Sequence, residues 1–279
     1  MLDTVMRFIK RAAIFIPGAL VSYFTVANVY PTLDKRIPAW IATLLTYVLI
    51  AYVLIPAAMR LYRLFFPPKH MPLYSLTPDG FANDPVNIAF VGTREEVDKA
   101  MEAAGWYPAD KRTPRNLLRM GLGILLKQPY PTAPFSNLYL FGHSQDLGYQ
   151  LPVDDNPGHR HHVRFWLAGT TGDPRQLDHL SFWQKYHKFD AKKERGLWVG
   201  AASLDTGIAL IRHNAQFTHM IHPNTSAERQ LIVKMVKKTG LVKRVRMVKI
   251  GDPYKLTNRA LHGYMVSDGK MAILELQDL

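Results

Sequence analysis

The sequence contains no cysteine. Disulfide bonds, thiolate metal ligands and thiol nucleophiles are therefore excluded, and zinc ribbons with them. Acidic residues are also scarce, because 22 Asp and Glu stand against 35 Lys and Arg, for a formal net charge of +13. A phosphate-binding loop is absent as well, since Gly121-Leu122-Gly123 lacks both a third glycine and a preceding strand.

A serine hydrolase is not predicted either. The segment Gly142-His143-Ser144-Gln145-Asp146 resembles a nucleophile elbow, but its second glycine is missing. That elbow passes from a strand into a helix, whereas strand-like residues follow here. The chain also has no internal repeat and no alternation of strands with crossover helices, which argues against a parallel α/β fold.

Apolar residues are concentrated in residues 1–68, which we predict to form a membrane anchor. Residues 12–30 and 40–59 contain no Asp, Glu, Lys, Arg or His. Each run is about long enough to cross a bilayer core of roughly 30 Å, which predicts a transmembrane helical hairpin with spans near 12–30 and 40–62. The alternatives are a cleaved signal peptide and a buried helical hairpin of a soluble fold.

Basic residues flank both runs and set the predicted orientation. Three Lys or Arg precede the first run, two lie in the turn and three follow the second run. The positive-inside rule then places both termini, and the domain that follows, in the cytoplasm. Residues 69–79 follow Pro67-Pro68 and contain Pro72, which predicts a stiff, extended linker.

Residues 80–279 are predicted to form an α+β domain with a mostly antiparallel sheet and flanking helices. Residues 85–92 fit a strand, and Thr93 with Glu96 predicts a capping box for a helix that runs to Gly105. Thr113-Pro114 opens another helix, which continues to about Lys127. Its leucines fit either a core helix or a helix that rests on the bilayer surface.

Turn-forming residues predict two hairpins and a final helix. Residues 138–141 would pair with 147–150, and residues 197–204 with 208–212 around Asp205-Thr206-Gly207. A helix from about 226 to 239 would begin with a capping box of Thr225 and Glu228 and end at Gly240. Strands near 242–250 and 261–276 would complete the domain.

Residues 159–166 hold three histidines, two arginines and two aromatics. Because side chains alternate across a strand, Arg160, His162 and Arg164 share one face. We expect the opposite face, with Val163 and Phe165, to pack on the core. The Arg/His face would then be exposed and able to bind a phosphate or a carboxylate. The alternative is a solvated face with cross-strand ion pairs.

Other histidines extend this hypothesis to metal binding. His219 and His222 share a face on a helix but not on a strand. If the chain turns at Pro223, they could converge with His162 and Asp205 into a nitrogen and oxygen ligand set, as in hydrolytic zinc or manganese sites. Structural histidines are the commoner case, so no metal is favoured and the cofactor stays unassigned.

Positive charge is concentrated near the C-terminus. Residues 228–259 hold ten Lys or Arg against two acids. Nucleic acid is not favoured as a partner, because neither interleaved aromatics nor a known reader motif accompanies the run. Either the run is a solvated face, or it binds anionic lipid headgroups at about 1 kcal/mol per close basic residue. The candidate contacts are Lys237, Lys238, Lys243, Arg244 and Arg246.

Seven segments, in order along residues 80–240, resemble the LssY C-terminal domain family of bacterial proteins. They are Asp84-Pro85-Val86-Asn87, Gly105-Trp106, Leu138-Tyr139-Leu140-Phe141-Gly142, Gln145-Asp146-Leu147, residues 160–166, Trp198-Val199-Gly200-Ala201-Ala202, and Thr218-His219 through Glu228-Arg229. Family members sit beside, or are fused to, membrane phospholipid phosphatases or DedA-type membrane proteins. The family has no established reaction.

The resemblance implies a domain of the bacterial inner membrane that works in the company of lipid phosphates, with a membrane phospholipid phosphatase as a partner. The positions that it singles out are Arg160, His162, Arg164, His219 and Glu228-Arg229. The chain lacks the Pro-Ser-Gly-His signature of the membrane phosphatases that accompany the family, so their activity cannot be carried over to it. It also has Met220 where family members carry a second histidine, which weakens a metal site there.

These observations lead to a main hypothesis and two alternatives. In the main hypothesis the domain binds an anionic, phosphate-bearing lipid or lipid precursor through Arg160, Arg164 and Arg229. His162 and His219 would transfer protons if hydrolysis occurs. The first alternative is a non-catalytic interaction or scaffold domain that partners a membrane phospholipid-processing enzyme. The second is a metal-dependent phosphoesterase.

Overall fold

The computed structural model describes residues 19–65, 71–169, 194–210, 217–257 and 264–278. The chain divides into two compact units, Met1–Pro67 with Thr77–Phe81, and Pro68–Leu76 with Ala82–Leu279. Strand β1, Tyr74–Leu76, falls inside the predicted linker.

The first unit contains helix α1, described over residues 19–34, and helix α2, which comprises Ala39–Leu49, Ile50–Leu54 and Ile55–Phe65. Each helix contains a π-helical segment, Thr25–Val29 in α1 and Ile50–Leu54 in α2. Each of these segments ends two residues before a proline, Pro31 or Pro56. A proline inside a helix lacks the N–H donor and its ring clashes with the carbonyl four residues earlier, so the preceding turn widens.

One described helix, Ala39–Met59, is long and apolar enough to cross a membrane, with a mean hydropathy of 2.2. This segment coincides with the second predicted span. Residues 12–18 of the first predicted span lie outside the described residues. The basic residues before that span also lie outside them. The structure therefore supports one candidate span, and a two-span hairpin is not shown.

The second unit is built on an eight-stranded mixed sheet. Across the sheet its strands are β11 (Val242–Lys249), β14 (Lys270–Leu276), β3 (Ile88–Gly92), β9 (Gly196–Leu210), β8 (His159–Gly169), β7 (Leu147–Pro152) and β4 (Tyr107–Pro108), with β10 (Phe217–Ile221) also paired to β9. The β14–β3 pair is parallel and the other pairs are antiparallel. The predicted α+β fold with mostly antiparallel pairing is confirmed.

Two smaller sheets and three helices complete this unit among the described residues. One sheet has the order β2 (Ala82–Pro85), β1, β5 (Tyr139–Leu140) and β6 (His143–Ser144), and the other pairs β12 (Tyr254–Thr257) with β13 (Tyr264–Ser267). The helices are α3 (Arg94–Ala103), α4 (Pro114–Leu126) and α5 (Thr225–Lys238).

Both faces of the large sheet are buried along its central strands β14, β3, β9 and β8. One face packs on α3 and α5, where Phe165 and Trp198 belong to the same apolar cluster as Met101 and Ile232. The other face carries Trp166, Val199 and Ala201, which cluster with Leu138 and Leu140. Leu140 belongs to the four-stranded β2-β1-β5-β6 sheet, which we call the small sheet, and Leu138 lies beside it. Strand β8 therefore has apolar neighbours on both sides of the sheet.

The helix starts follow the predicted caps in two cases and differ in the third. Thr93 and Glu96 form the capping box of α3, and Thr113 caps α4 ahead of Pro114. The predicted box of Thr225 and Glu228 is wrong. Asn224 caps α5, because the Thr225 hydroxyl donates to the Val266 carbonyl and Glu228 contacts His161.

Both predicted hairpins are wrong. Strand β9 runs without a turn through Asp205-Thr206-Gly207 and forms its hairpin with β10 instead. Long-range pairing explains this, because Asp205 and Thr206 are in register with Arg160 and His159 of β8. In the other case β5 pairs with β6 across the tight turn at Phe141-Gly142, where both residues have positive φ. Strand β7 pairs with β8.

Candidate functional site

The face of β8 that carries Arg160, His162 and Arg164 is buried, so the predicted exposure of this face is wrong. The three residues are 2%, 1% and 2% exposed. Their alternation with Val163 and Phe165 is as predicted, and those two residues are fully buried in the core on the other side. Charged groups can be buried on this face because the domain supplies carboxylates to pair with them.

The first carboxylate comes from Asp84 on β2, in the small sheet. Its Oδ2 accepts a hydrogen bond from Nη1 of Arg164 and lies 3.2 Å from Nε2 of His162. Asp84 is 1% exposed. The ion pair of Asp84 and Arg164 therefore joins the small sheet to the large sheet. Its charges are shielded from water, where Coulomb attraction is strongest.

The second carboxylate is Asp205 on β9, directly across from Arg160. Its Oδ2 lies 3.4 Å from Nε of Arg160, 3.3 Å from Nδ1 of His162 and 3.6 Å from Nδ1 of His219. One carboxylate thus faces a guanidinium and two imidazoles. We call Asp84, Arg160, His162, Arg164 and Asp205 the buried charge cluster.

Neutral groups complete the surroundings of Arg160. Its Nη1 donates to Oε1 of Gln150 at 2.6 Å and to the Ala133 carbonyl at 3.1 Å. The ring of Phe135 covers the guanidinium groups of both Arg160 and Arg164, and the Cζ of each lies 4.8 Å from the ring centroid. A Cβ at Gly148 would lie 2.6 Å from Phe135 Cε2, so glycine at this position leaves room for the ring.

The cluster shifts the pKa values of its members in opposite directions. Burial alone would raise the pKa of Asp84, but Arg164 and His162 outweigh it and lower the pKa. Burial is likewise outweighed at Asp205, whose pKa is lowered strongly by His162, His219 and Arg160. Both carboxyls are therefore ionised at neutral pH and balance the two guanidinium groups.

The two imidazoles beside Asp205 differ. Burial would lower the pKa of His162, but the Asp205 carboxylate raises it above its usual value. Burial lowers the pKa of His219, and Asp205 offsets this only in part. Asp205 therefore favours a proton on His162 over one on His219, whose side chain is 22% exposed.

Several buried polar atoms of this region have no hydrogen-bond partner. They are Nε of Arg164, Nδ1 of His162, Oγ of Ser203, Oδ1 of Asp205 and Nδ1 of His219. Ser203 is in register with His162. No hydrogen bond joins the Ser203 hydroxyl to His162, so the contact between nucleophile and base that activates a serine is not formed here.

The remaining histidines of the β8 segment also have carboxylate neighbours. His159 Nδ1 lies 2.9 Å from Asp154, and His161 Nδ1 lies 2.8 Å from Glu228 on α5. The predicted metal set is only partly assembled. His162, Asp205 and His219 come together, but His222 is exposed and its Nδ1 accepts from the Asn224 N–H. No three His, Asp or Glu side chains of the described residues are arranged to hold a metal ion.

Arg229, the third predicted anion ligand, lies elsewhere, on α5. Its Nη1 and Nη2 bind the two oxygens of Asp268 at 2.8 and 2.7 Å, and Nη1 also binds the Lys270 carbonyl at 2.7 Å. Arg229 holds the pKa of Asp268 below its usual value. An incoming anion would have to displace this carboxylate.

Arg229 lines an open groove of about 700 Å³ between α5, β11 and β14. We call it the basic groove. Its other basic residues are Lys234, Lys237 and Lys270, and its apolar lining includes Val233 and Met247. Neither Lys234 nor Lys237 forms an ion pair with a carboxylate of the described residues.

Of the five basic residues predicted to contact headgroups, Lys237 lines the basic groove. Lys238 is exposed beside it, and Lys243 lies 4.0 Å from Glu275. Arg244 and Arg246 alternate with Val245 and Met247 along β11 and so occupy the opposite face of the strand. The predicted patch is thus divided between two faces of an edge strand.

Sequence reasoning missed Asp84, Gln150 and Phe135 as members of the site. Asp84 was part of a segment that resembles a family motif, but its local sequence does not reveal a partner. Its contact with His162 spans 78 residues of the chain. A scarce acidic residue beside an apolar strand was the available signal, because such a residue needs a buried partner.

The fold and the site define an α+β domain with a buried charge cluster whose carboxylates and guanidinium groups pair with one another, in a chain that has a candidate membrane helix. The family model described as LssY C-terminus matches residues 68–177 and 168–271. The chain therefore belongs to the LssY C-terminal family, as its sequence motifs suggested. No curated protein and no solved structure was found to match the chain.

Proposed function

We propose that the protein is anchored in the bacterial inner membrane by two spans and that its cytoplasmic domain binds phosphate-bearing, anionic lipid headgroups through the basic groove. The observation that carries the proposal is the pair Lys234 and Lys237, which line an open groove without carboxylate partners. Ammonium groups at such a surface attract phosphate, and the apolar side chains of the groove suit the glycerol end of a lipid.

The proposed binding site is not formed by Arg160 and Arg164, the anion ligands that the sequence predicted. Their guanidinium groups are buried and paired with Asp205 and Asp84, so a ligand would have to break an ion pair that is sealed from water. Removing one partner of a buried pair costs about 3–5 kcal/mol. Arg229 contributes as a wall of the basic groove, in its pair with Asp268. The function is then binding without hydrolysis.

The test uses the full-length protein in phosphatidylcholine nanodiscs. Binding of short-chain phosphatidic acid is measured by calorimetry, with short-chain phosphatidylcholine and inorganic phosphate as parallel ligands. The two lysines together are worth about 2 kcal/mol, so Lys234→Gln/Lys237→Gln weakens phosphatidic acid binding about thirtyfold. Phosphatidylcholine is expected not to bind, and inorganic phosphate to bind more weakly than the lipid.

A matched control removes the same charge outside the basic groove, in Lys238→Gln/Lys243→Gln. This variant should bind phosphatidic acid as the wild type does. An equal loss in both variants would mean that diffuse surface charge, and not the groove, attracts the lipid. Absence of binding in the wild type would overturn the proposal and leave the scaffold alternative, which the internal pairing of the buried charge cluster favours.

A further inference from the structure

Helix α4 presents an apolar face to solvent. Leu118, Leu122, Leu125 and Leu126 are 66%, 46%, 77% and 58% exposed. At about 100° per residue these positions fall within roughly one third of the helix circumference. Monomeric soluble proteins scatter their exposed leucines, so a contiguous row of four indicates a contact surface.

The orientation of α4 is fixed by the opposite side of the helix. Three apolar side chains are half-buried there, those of Leu117, Met120 and Ile124. Gly123, at the edge of that side, is buried, and a Cβ at this position would lie 3.1 Å from the Gln128 carbonyl oxygen and 3.2 Å from Cγ of Pro157. The ends are fixed as well, because Thr113 caps the start and Lys127 ends the helix in the left-handed conformation. The helix therefore cannot turn its leucines toward the core without losing this close packing.

The charge around α4 indicates what covers the leucines. Basic residues surround the row, and no Asp or Glu occurs between residues 111 and 145. The basic residues are Lys111, Arg112, Arg115, Arg119 and Lys127. Leucines bordered by Lys and Arg along the helix fit the boundary between acyl chains and anionic headgroups. In the proposed anchoring, the candidate membrane helix Ala39–Met59 also keeps the domain near a bilayer.

We propose that α4 lies in the plane of the membrane surface, with Leu118, Leu122, Leu125 and Leu126 inserted at the headgroup boundary and the surrounding basic residues among the phosphates. In-plane helices of this kind bury their apolar face about 5–10 Å into the interface. This contact is separate from the basic groove, since insertion of leucines also occurs in neutral lipid. It defines which surface of the domain meets the bilayer.

The absence of native cysteine makes a direct test feasible, because a single introduced cysteine can be labelled uniquely. Full-length variants Leu122→Cys and Leu125→Cys carry a nitroxide in nanodiscs of mixed phosphatidylcholine and phosphatidylglycerol. Val153→Cys is the matched control, since Val153 is 54% exposed in the turn after β7. Relaxation of each label is measured with dissolved oxygen and with a water-soluble nickel complex.

We expect oxygen to relax the labels at 122 and 125 more strongly than the nickel complex does, and the reverse at 153. Access of the nickel complex to all three labels would overturn the proposal. So would dipolar broadening at 122 that disappears on dilution with unlabelled protein, because that result means a second copy covers the leucines. In the Lys234→Gln/Lys237→Gln background the label at 122 should stay in lipid, which separates this contact from headgroup binding.

Discussion

Asp84 and Arg164 form a buried ion pair that joins the small sheet to the large one. The two residues are 80 positions apart in the chain, and their exposed fractions are 1% and 2%. His162 shares the same carboxylate oxygen. Because this ion pair connects residues that are far apart in the chain, it contributes to holding the two sheets together. Its loss should affect the fold of the whole domain.

The substitution Asp84→Asn should lower the free energy of unfolding by about 3–5 kcal/mol, because it leaves a buried guanidinium without its counter-charge. Denaturant unfolding of the detergent-solubilised protein, followed by tryptophan fluorescence, measures this loss. The control Asp154→Asn removes a half-exposed carboxylate beside His159 and should cost at most about 1 kcal/mol. Adding Arg164→Met to Asp84→Asn should restore stability in part. Equal losses in Asp84→Asn and Asp154→Asn would contradict the role of the pair.

Acid should destabilise the domain through Asp84 and Asp205. The pKa of each carboxyl is lowered in the folded state, so its contribution is present above the unfolded pKa of about 3.9 and is lost as pH falls through the folded pKa. Unfolding free energies measured from about pH 5 downward should fall more steeply for the wild type than for Asp205→Asn. If the unfolding free energies of the wild type and of Asp205→Asn fall equally steeply with decreasing pH, Asp205 does not carry this stability.

His162 should act in the opposite pH range. Its pKa is raised in the folded state, so its contribution is complete below the unfolded pKa of about 6.5 and is lost as pH rises through the folded pKa. The stability advantage of the wild type over His162→Gln should therefore shrink on the alkaline side. His219→Gln is the comparison, because the pKa of His219 is lowered and its contribution is lost as pH falls below about 6.5. Identical profiles for both variants would refute the assignment of the proton to His162.

Gly148→Ala should destabilise the domain by about 1–3 kcal/mol, because the added methyl group overlaps the ring of Phe135 above the charge cluster. Thermal unfolding measures the effect. Gly121→Ala is the control, since no neighbouring atom lies within 4 Å of a Cβ there and alanine favours a helix by up to about 1 kcal/mol. Phe135→Leu should relieve the overlap in the Gly148→Ala background. A wild-type melting curve for Gly148→Ala would show that the ring can move aside at no cost.

Local patterns in the sequence predicted local features correctly. Alternation along residues 159–166 placed Arg160, His162 and Arg164 together and turned Val163 and Phe165 into the core. The capping box of Thr93 and Glu96 was predicted because its partners are three residues apart. Predictions failed where distant residues compete, as at Asp205-Thr206-Gly207, where pairing with β8 overrode a turn signal.

The sequence by itself determined the family, the α+β class, one apolar segment long enough to span a bilayer and the grouping of the charged residues on β8. These features depend on composition or on neighbours a few positions away, and periodicity is sufficient to specify them. Only the tertiary structure decided that this charged face is covered. Asp84 and Phe135 reach it from remote segments, and burial depends on which segments meet in space. The same reason applies to α4, whose leucines are exposed because the domain packs against the opposite side of the helix.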